Sequence, residues 1–143
     1  MRSEWALLLL ALISVYLLMV VGAYVTTAGY GLECPDWPTC RGQLIPPLTT
    51  GVLVEYSHRL LTVLTAVLLF AATYAVWRMP LRVPALLRSM KFASLLLVIQ
   101  IFLGGVVVST ELNALVAAAH LANAILIFGL VVSATILYRQ HPQ

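Results

Sequence analysis

The chain has 143 residues, of which 62% are hydrophobic and 9% are charged. Soluble domains carry about 25% charged residues, so this composition excludes a soluble globular protein and indicates an integral membrane protein embedded in lipid. The formal net charge of only +3 gives no reason to expect a nucleic-acid partner.

Four apolar runs divide the sequence, and each is close to the ~20 residues that a helix needs to span a bilayer. The fold class predicted is therefore all-α, a bundle of four transmembrane helices forming one domain over residues 1–143. The first run is longer than the ~7 to 15 apolar residues of a secretory signal, so we expect a retained helix. The predicted helices cover about 5–28, 54–77, 90–108 and 113–138.

Basic residues are concentrated in one connection, between the second and third predicted helices. Four of them stand there without an acidic residue: Arg78, Arg82, Arg88 and Lys91. Positive charge favours the cytoplasmic side of a membrane. We therefore expect a multi-pass protein of the cell membrane with both termini in the cytoplasm and residues 29–53 outside.

The connection 29–53 is rich in glycine and proline and holds Cys34 and Cys40, the two cysteines of the sequence. Such long loops are commonly lids or binding elements, so this one is expected to cap the outer end of the bundle. The outer compartment permits disulfides, and a disulfide between the two cysteines is expected. A structural role is favoured over a redox role because catalytic dithiols more often have Cys-X-X-Cys spacing.

Three ionisable residues stand at the start of the second predicted helix, Glu55, His58 and Arg59. Ionisable groups in membrane segments commonly mark functional sites. Glu55 and His58 are three residues apart and share one helix face. Arg59 fits either an anchor to lipid headgroups or a binder of an anionic ligand.

His120 lies among alanines in the fourth predicted helix, which runs in the same direction as the second. His58 is ~6 Å and His120 ~10 Å below the predicted helix starts, so the two rings can share one level. Paired histidines in a bundle fit a haem ligated on both faces. A proton relay or a polar contact between helices fits as well. His141 is expected to be a solvated tail residue.

Other polar and small residues point to packing. Gln100 is expected to make an interhelical hydrogen bond, whereas Asn123 could orient a ligand or bond a neighbouring helix. The segments 22–27 and 104–109 are loosely alike, each preceding an outer connection and a histidine-bearing helix. This similarity hints at two related hairpins, with Gly104 and Gly105 forming a packing notch.

Three motifs occur in chain order: the cysteine-bearing segment 29–43, the run 55–59 (Glu-Tyr-Ser-His-Arg), and His120. Together they resemble the N-terminal half of haem A synthase, the membrane enzyme of cytochrome oxidase assembly. The resemblance implies oxidation of a ring methyl of the substrate haem O to the formyl group of haem A.

The same resemblance implies roles for individual residues. His58 and His120 become axial ligands of haem iron, where the haem is haem b, haem O or haem A. Glu55 becomes the catalytic carboxylate, Arg59 a partner of the haem propionates, and the cysteines a disulfide. No motif identifies the electron donor.

Typical members of this family have two related four-helix halves, and the resemblance covers one of them. Self-association is therefore expected, as a dimer or a higher homo-oligomer. The alternative function is a b-type bis-histidine cytochrome that transfers electrons without modifying its haem. A four-helix thiol oxidase is disfavoured because such enzymes normally have a second cysteine pair.

Overall fold

A computed structural model describes residues 3–47, 49–79 and 83–141. Within these ranges the chain forms four helices, each long and apolar enough to cross a membrane, and no strand. They are α1 (Ser3–Thr27), α2 (Thr50–Trp77), α3 (Pro84–Ser109) and α4 (Ala114–Gln140). The predicted all-α, multi-pass membrane fold is confirmed. Of the residues used to predict topology, Arg82 lies outside the described residues.

Two helices begin four or more residues earlier than predicted. Helix α2 begins at Thr50 where residue 54 was expected, and α3 at Pro84 where residue 90 was expected. Proline suits the first turn of a helix, because its fixed φ is helical and its missing N–H would have no partner there. Helix α4 begins after Asn113, whose side chain accepts hydrogen bonds from the amides of Leu115 and Val116.

The helices pack in a ring in which each contacts its two neighbours in chain order, and α1 closes the ring against α4. Helices α2 and α4 consequently lie diagonally opposite each other. A core of aliphatic side chains fills the bundle toward the end that carries the chain termini; its largest buried members are Leu8, Leu69, Leu86, Met90, Leu97, Ile127 and Val131. The buried carboxylate of Glu55 lies toward the opposite end.

The loop between α1 and α2 covers that opposite end. Cys34 and Cys40 form a disulfide with their Cα atoms 4.6 Å apart, as predicted, and both are fully buried. Cys40 pairs with Gln43 through two backbone hydrogen bonds of 3.1 Å. The residues between them, Arg41 and Gly42, have φ of 56° and 72°, as a tight two-residue turn with two positive φ values requires. The loop is thus an ordered cap on α2.

Candidate functional site

The two membrane histidines lie at similar depth on the diagonal helices. His58 is eight residues after Thr50, the first residue of α2, and His120 is six residues after Ala114, the first residue of α4. Two residues of helix correspond to ~3 Å along the axis.

Neither imidazole is satisfied by the protein. Nδ1 of His58 and Nδ1 of His120 are both buried, and no residue in the described part of the chain hydrogen-bonds to them. Buried polar atoms are nearly always paired, so two orphaned nitrogens at one level indicate an external partner. Over the same ranges, no cluster of three or more His, Cys, Asp or Glu side chains could hold a bare metal ion. The pair can therefore supply two ligands to a centre that obtains its other ligands elsewhere.

Each histidine also packs against a glycine of the preceding helix, His58 against Gly22 and His120 against Gly104. Gly105 serves a different contact, because its open side faces the ring of Trp37 in the loop. From the sequence these glycines were interpreted as packing residues. The relation of Gly22 and Gly104 to the histidines was missed; the only signal was the loose likeness of the segments around them.

Glu55 and Arg59, one turn apart on α2, form an ion pair of 2.6 Å between Oε1 and Nη2. The Glu55 side chain is buried, and its second oxygen accepts a hydrogen bond of 2.8 Å from the amide of Cys34. Both carboxylate oxygens are therefore engaged, one by the helix and one by the loop. This arrangement fixes the carboxylate one turn before His58.

The guanidinium of Arg59 is directed at the ring of residues that the disulfide closes. Nη2 donates to the carbonyl of Cys34 at 2.9 Å, and Nη1 donates to those of Asp36 at 2.7 Å, Pro38 at 3.5 Å and Thr39. Its side chain is only 14% exposed. In this structure Arg59 binds the loop and Glu55.

The loop has its own electrostatic anchor in the exposed carboxylate of Asp36. It accepts hydrogen bonds from the hydroxyl of Thr39 and from the amides of Gly42, at 2.9 Å, and Arg41. These bonds, with that from Thr39 largest, lower the pKa of Asp36 to about 2. A second pair, Glu33 with Arg41 at 3.3 Å, is largely exposed to solvent.

An amide pair links α4 to α3 beside His120. Gln100 Nε2 donates to the backbone carbonyl of His120 at 3.0 Å, which confirms the interhelical bond predicted for it. Asn123 Nδ2 donates to Gln100 Oε1 at 2.7 Å and to the carbonyl of Leu96 at 3.0 Å. Of its two predicted roles, Asn123 thus bonds a neighbouring helix. His141 lies at the end of α4 beyond the core, apart from the other histidines.

Comparison with known proteins identifies the family. The family model described as cytochrome oxidase assembly protein (COX15-CtaA) matches residues 5–52 and 49–132. The chain belongs to this family. It is 31% identical over 142 residues to "Heme A synthase" of Bacillus pumilus, covering 94% of this chain and 45% of that protein. The "Heme A synthase" of Symbiobacterium thermophilum is 34% identical over 105 residues, covering 73% of this chain and 34% of that one.

A second kind of relative is also similar to this chain. A protein of Haloarcula marismortui named "Protoheme IX farnesyltransferase" is 32% identical over 128 residues, covering 90% of this chain and 27% of that protein. No solved structure matches. The chain spans about half, or less, of the length of the curated relatives that it matches.

Proposed function

We propose that this chain forms a haem A synthase unit that oxidises a ring methyl of haem O to the formyl group of haem A, with His58 and His120 as axial ligands of the haem iron. One observation carries this proposal: two buried imidazoles with orphaned Nδ1 atoms lie at similar depth on diagonal helices. Family membership supports it independently.

The donor set fits a haem better than a bare metal ion. A porphyrin supplies four in-plane nitrogens, so two histidines complete six-coordinate iron, and facing histidines in a helix bundle are a known way to provide them. Bound haem supplies redox-active iron and the methyl group to be oxidised. Haem b, haem O and haem A all offer the same two axial positions. His58 and His120 are the residues that would hold the macrocycle between α2 and α4.

Glu55 is the proposed catalytic carboxylate. Its carboxylate is anchored by Arg59 and by the amide of Cys34, so it keeps a fixed position one turn from His58. With haem bound, the negative charge of Glu55 would stabilise positive charge near the macrocycle edge, and its carboxylate would accept a proton released there.

Arg59 is the proposed partner of the haem propionates. A guanidinium offers paired, charge-assisted donors to carboxylates, and Arg59 is the residue next to His58 in sequence. Because Glu55 and the loop carbonyls already bind both Nη atoms, a propionate shares this guanidinium with Glu55. Arg59 therefore links haem binding to the position of the disulfide loop.

Both termini are proposed to lie in the cytoplasm and the disulfide loop outside. Arg78, Arg88 and Lys91 lie at the end of the bundle that carries the termini, which favours the cytoplasmic side for that end. The disulfide suits the opposite, oxidising compartment.

The functional assembly is proposed to be a homo-oligomer, a dimer or higher, in the membrane. The share of the most apolar stretch of each helix that is buried within one chain ranges from 11% in α4 to 28% in α1, so apolar faces remain for lipid and for a second copy. The mass of the purified complex, measured by light scattering with detergent subtracted, tests this proposal. A single copy per complex contradicts it.

Identification of the bound haems tests the function. The protein is purified after coexpression with a source of haem O, and its haems are extracted and identified by chromatography and mass spectrometry. We expect haem A or a hydroxylated haem O, together with a low-spin bis-histidine spectrum that His58→Ala and His120→Ala each abolish. His141→Ala is the matched control and should leave the spectrum unchanged. Finding haem b alone under every condition identifies a cytochrome instead.

A further inference from the structure

The two histidines share a second structural feature, an open position on the neighbouring helix. A methyl group on Gly22 of α1 would place its Cβ 2.9 Å from Cε1 of His58, and 3.5 and 3.6 Å from its two ring nitrogens. On Gly104 of α3, the Cβ would lie 3.5 Å from Cε1 of His120. In both hairpins the Cε1 edge of the imidazole thus rests on a glycine of the preceding helix.

The two distances, at Gly22 and at Gly104, have different consequences for an added side chain. A carbon at 2.9 Å cannot be accommodated without movement of the ring, because overpacking a close contact forces side chains off their rotamers. A carbon at 3.5 Å is in ordinary van der Waals contact. On a helix the permitted χ1 values are few but χ2 of histidine is broad, so the His58 ring yields by rotating about χ2, which turns both ring nitrogens.

Cε1 lies between the two ring nitrogens, so any displacement of this edge moves both of them. For His58 the nitrogen that would bind iron is therefore controlled by the absence of a side chain at Gly22. The contact between His120 and Gly104 is looser. In addition, Gln100 binds the backbone carbonyl of His120.

We propose that Gly22 is a positioning residue that fixes the orientation of the axial histidine His58, whereas Gly104 leaves room for a side chain beside His120. This inference rests on the proposed haem ligation and deepens it. The loose likeness of the segments 22–27 and 104–109 then has a physical basis, since each places a glycine against the histidine of its own hairpin.

Three glycine-to-alanine variants test the proposal in the full chain: Gly22→Ala, Gly104→Ala and Gly129→Ala. Gly129 lies in α4 with nothing within 4 Å of an added Cβ, so its variant reports the effect of alanine on helix stability alone. Haem per polypeptide, the low-spin absorption bands and the electron paramagnetic resonance g values are measured on monodisperse protein. Gly22→Ala should lower haem occupancy about tenfold or convert the low-spin signal to high-spin. Gly104→Ala and Gly129→Ala should stay within twofold of the original protein.

A second measurement needs no haem. In the haem-free protein, Gly22→Ala should lower the unfolding temperature by about 5 °C relative to Gly129→Ala, and this loss should disappear when His58→Ala is also present. Coupling between the two substitutions supports the positioning contact of Gly22 with His58 even if a variant binds no haem.

The outcomes separate this inference from the proposed function. Unchanged haem content and spectrum in Gly22→Ala would overturn the positioning role of Gly22 and leave bis-histidine ligation intact. If the unsubstituted protein never binds haem, the proposed function is overturned. The unfolding temperatures of the haem-free variants then still show whether Gly22 and His58 are in contact. Additive effects of Gly22→Ala and His58→Ala on the unfolding temperature of the haem-free protein would overturn the positioning role of Gly22.

Discussion

Glu55 and Arg59 are joined by an ion pair of 2.6 Å, and both also bind the residues enclosed by the Cys34–Cys40 disulfide. His58 lies between them in sequence, on the same turn of α2 as Arg59. The loop contacts, the ion pair and the proposed haem ligand therefore share about one turn of helix. The disulfide loop is therefore part of the site as well as its cover.

Replacing Glu55 by glutamine separates the charge of this side chain from its size. Glutamine cannot accept a proton from the oxidised methyl and carries no negative charge, so we expect haem A formation to fall at least about 100-fold. Haem content should stay within twofold because the histidines are unchanged. Glutamine keeps one acceptor oxygen, so loss of the ion pair with Arg59 and of one of the two hydrogen bonds that Glu55 accepts should cost about 2 kcal/mol of stability. Product analysis, haem content and thermal unfolding measure the three effects.

Glu33→Gln is the matched control for that experiment. Glu33 also pairs with an arginine, Arg41, but the two side chains are 37% and 45% exposed. Exposed ion pairs contribute about 0–1 kcal/mol, so stability should change little and haem A formation should persist. If Glu55→Gln retains full activity, Glu55 anchors the loop and takes no part in catalysis.

Replacing Arg59 by lysine keeps the charge but removes the forked geometry. Arg59 binds four loop carbonyls and one carboxylate from two nitrogens, whereas lysine presents three donors from a single point. We expect faster amide hydrogen exchange across residues 34–43 and weaker retention of haem. Arg41→Lys, which alters an exposed arginine of the same loop, should leave exchange of the Cys34 amide unchanged. Equal exchange in both variants would contradict a special role for Arg59.

The helices could be predicted from the sequence because lipid demands long apolar runs, and the histidine levels followed from helix rise alone. The start of α2 could not be predicted, because glycine at position 51 favours a loop over a helix. In the structure Gly51 lies in the first turn of α2, and the Glu33 side chain occupies the space of a side chain there, with Cγ 2.6 Å from where a Cβ would be. The loop partners of Arg59 were equally impossible to predict. They are backbone carbonyls brought together only when the ring from Cys34 to Cys40 closes.

The loop should loosen in acid through Asp36. Its hydrogen bonds lower the pKa from 3.8 to about 2 in the folded loop, so the charged form is stabilised by folding. This contribution is complete above pH 4 and is lost as the pH falls from 3.8 toward 2. Hydrogen exchange of the Arg41 and Gly42 amides, corrected for intrinsic rates, should accelerate through that window. Asp36→Asn should exchange faster at neutral pH and show no such transition; a transition that persists in Asp36→Asn must come from another group.

Gln100 is expected to tune the His120 side of the site, because it binds the backbone carbonyl of that residue. Gln100→Leu preserves approximate volume but removes this bond and the acceptor for Asn123, which should cost about 0.6 kcal/mol per interhelical bond. The freed turn of α4 should shift the g values or midpoint potential of bound haem and lower its occupancy about threefold. Ser94→Ala is the control: Ser94 bonds Thr73 at 2.8 Å between α2 and α3, six residues before Gln100. It should cost similar stability without moving the haem signals. Identical haem signals in both variants would limit Gln100 to helix packing.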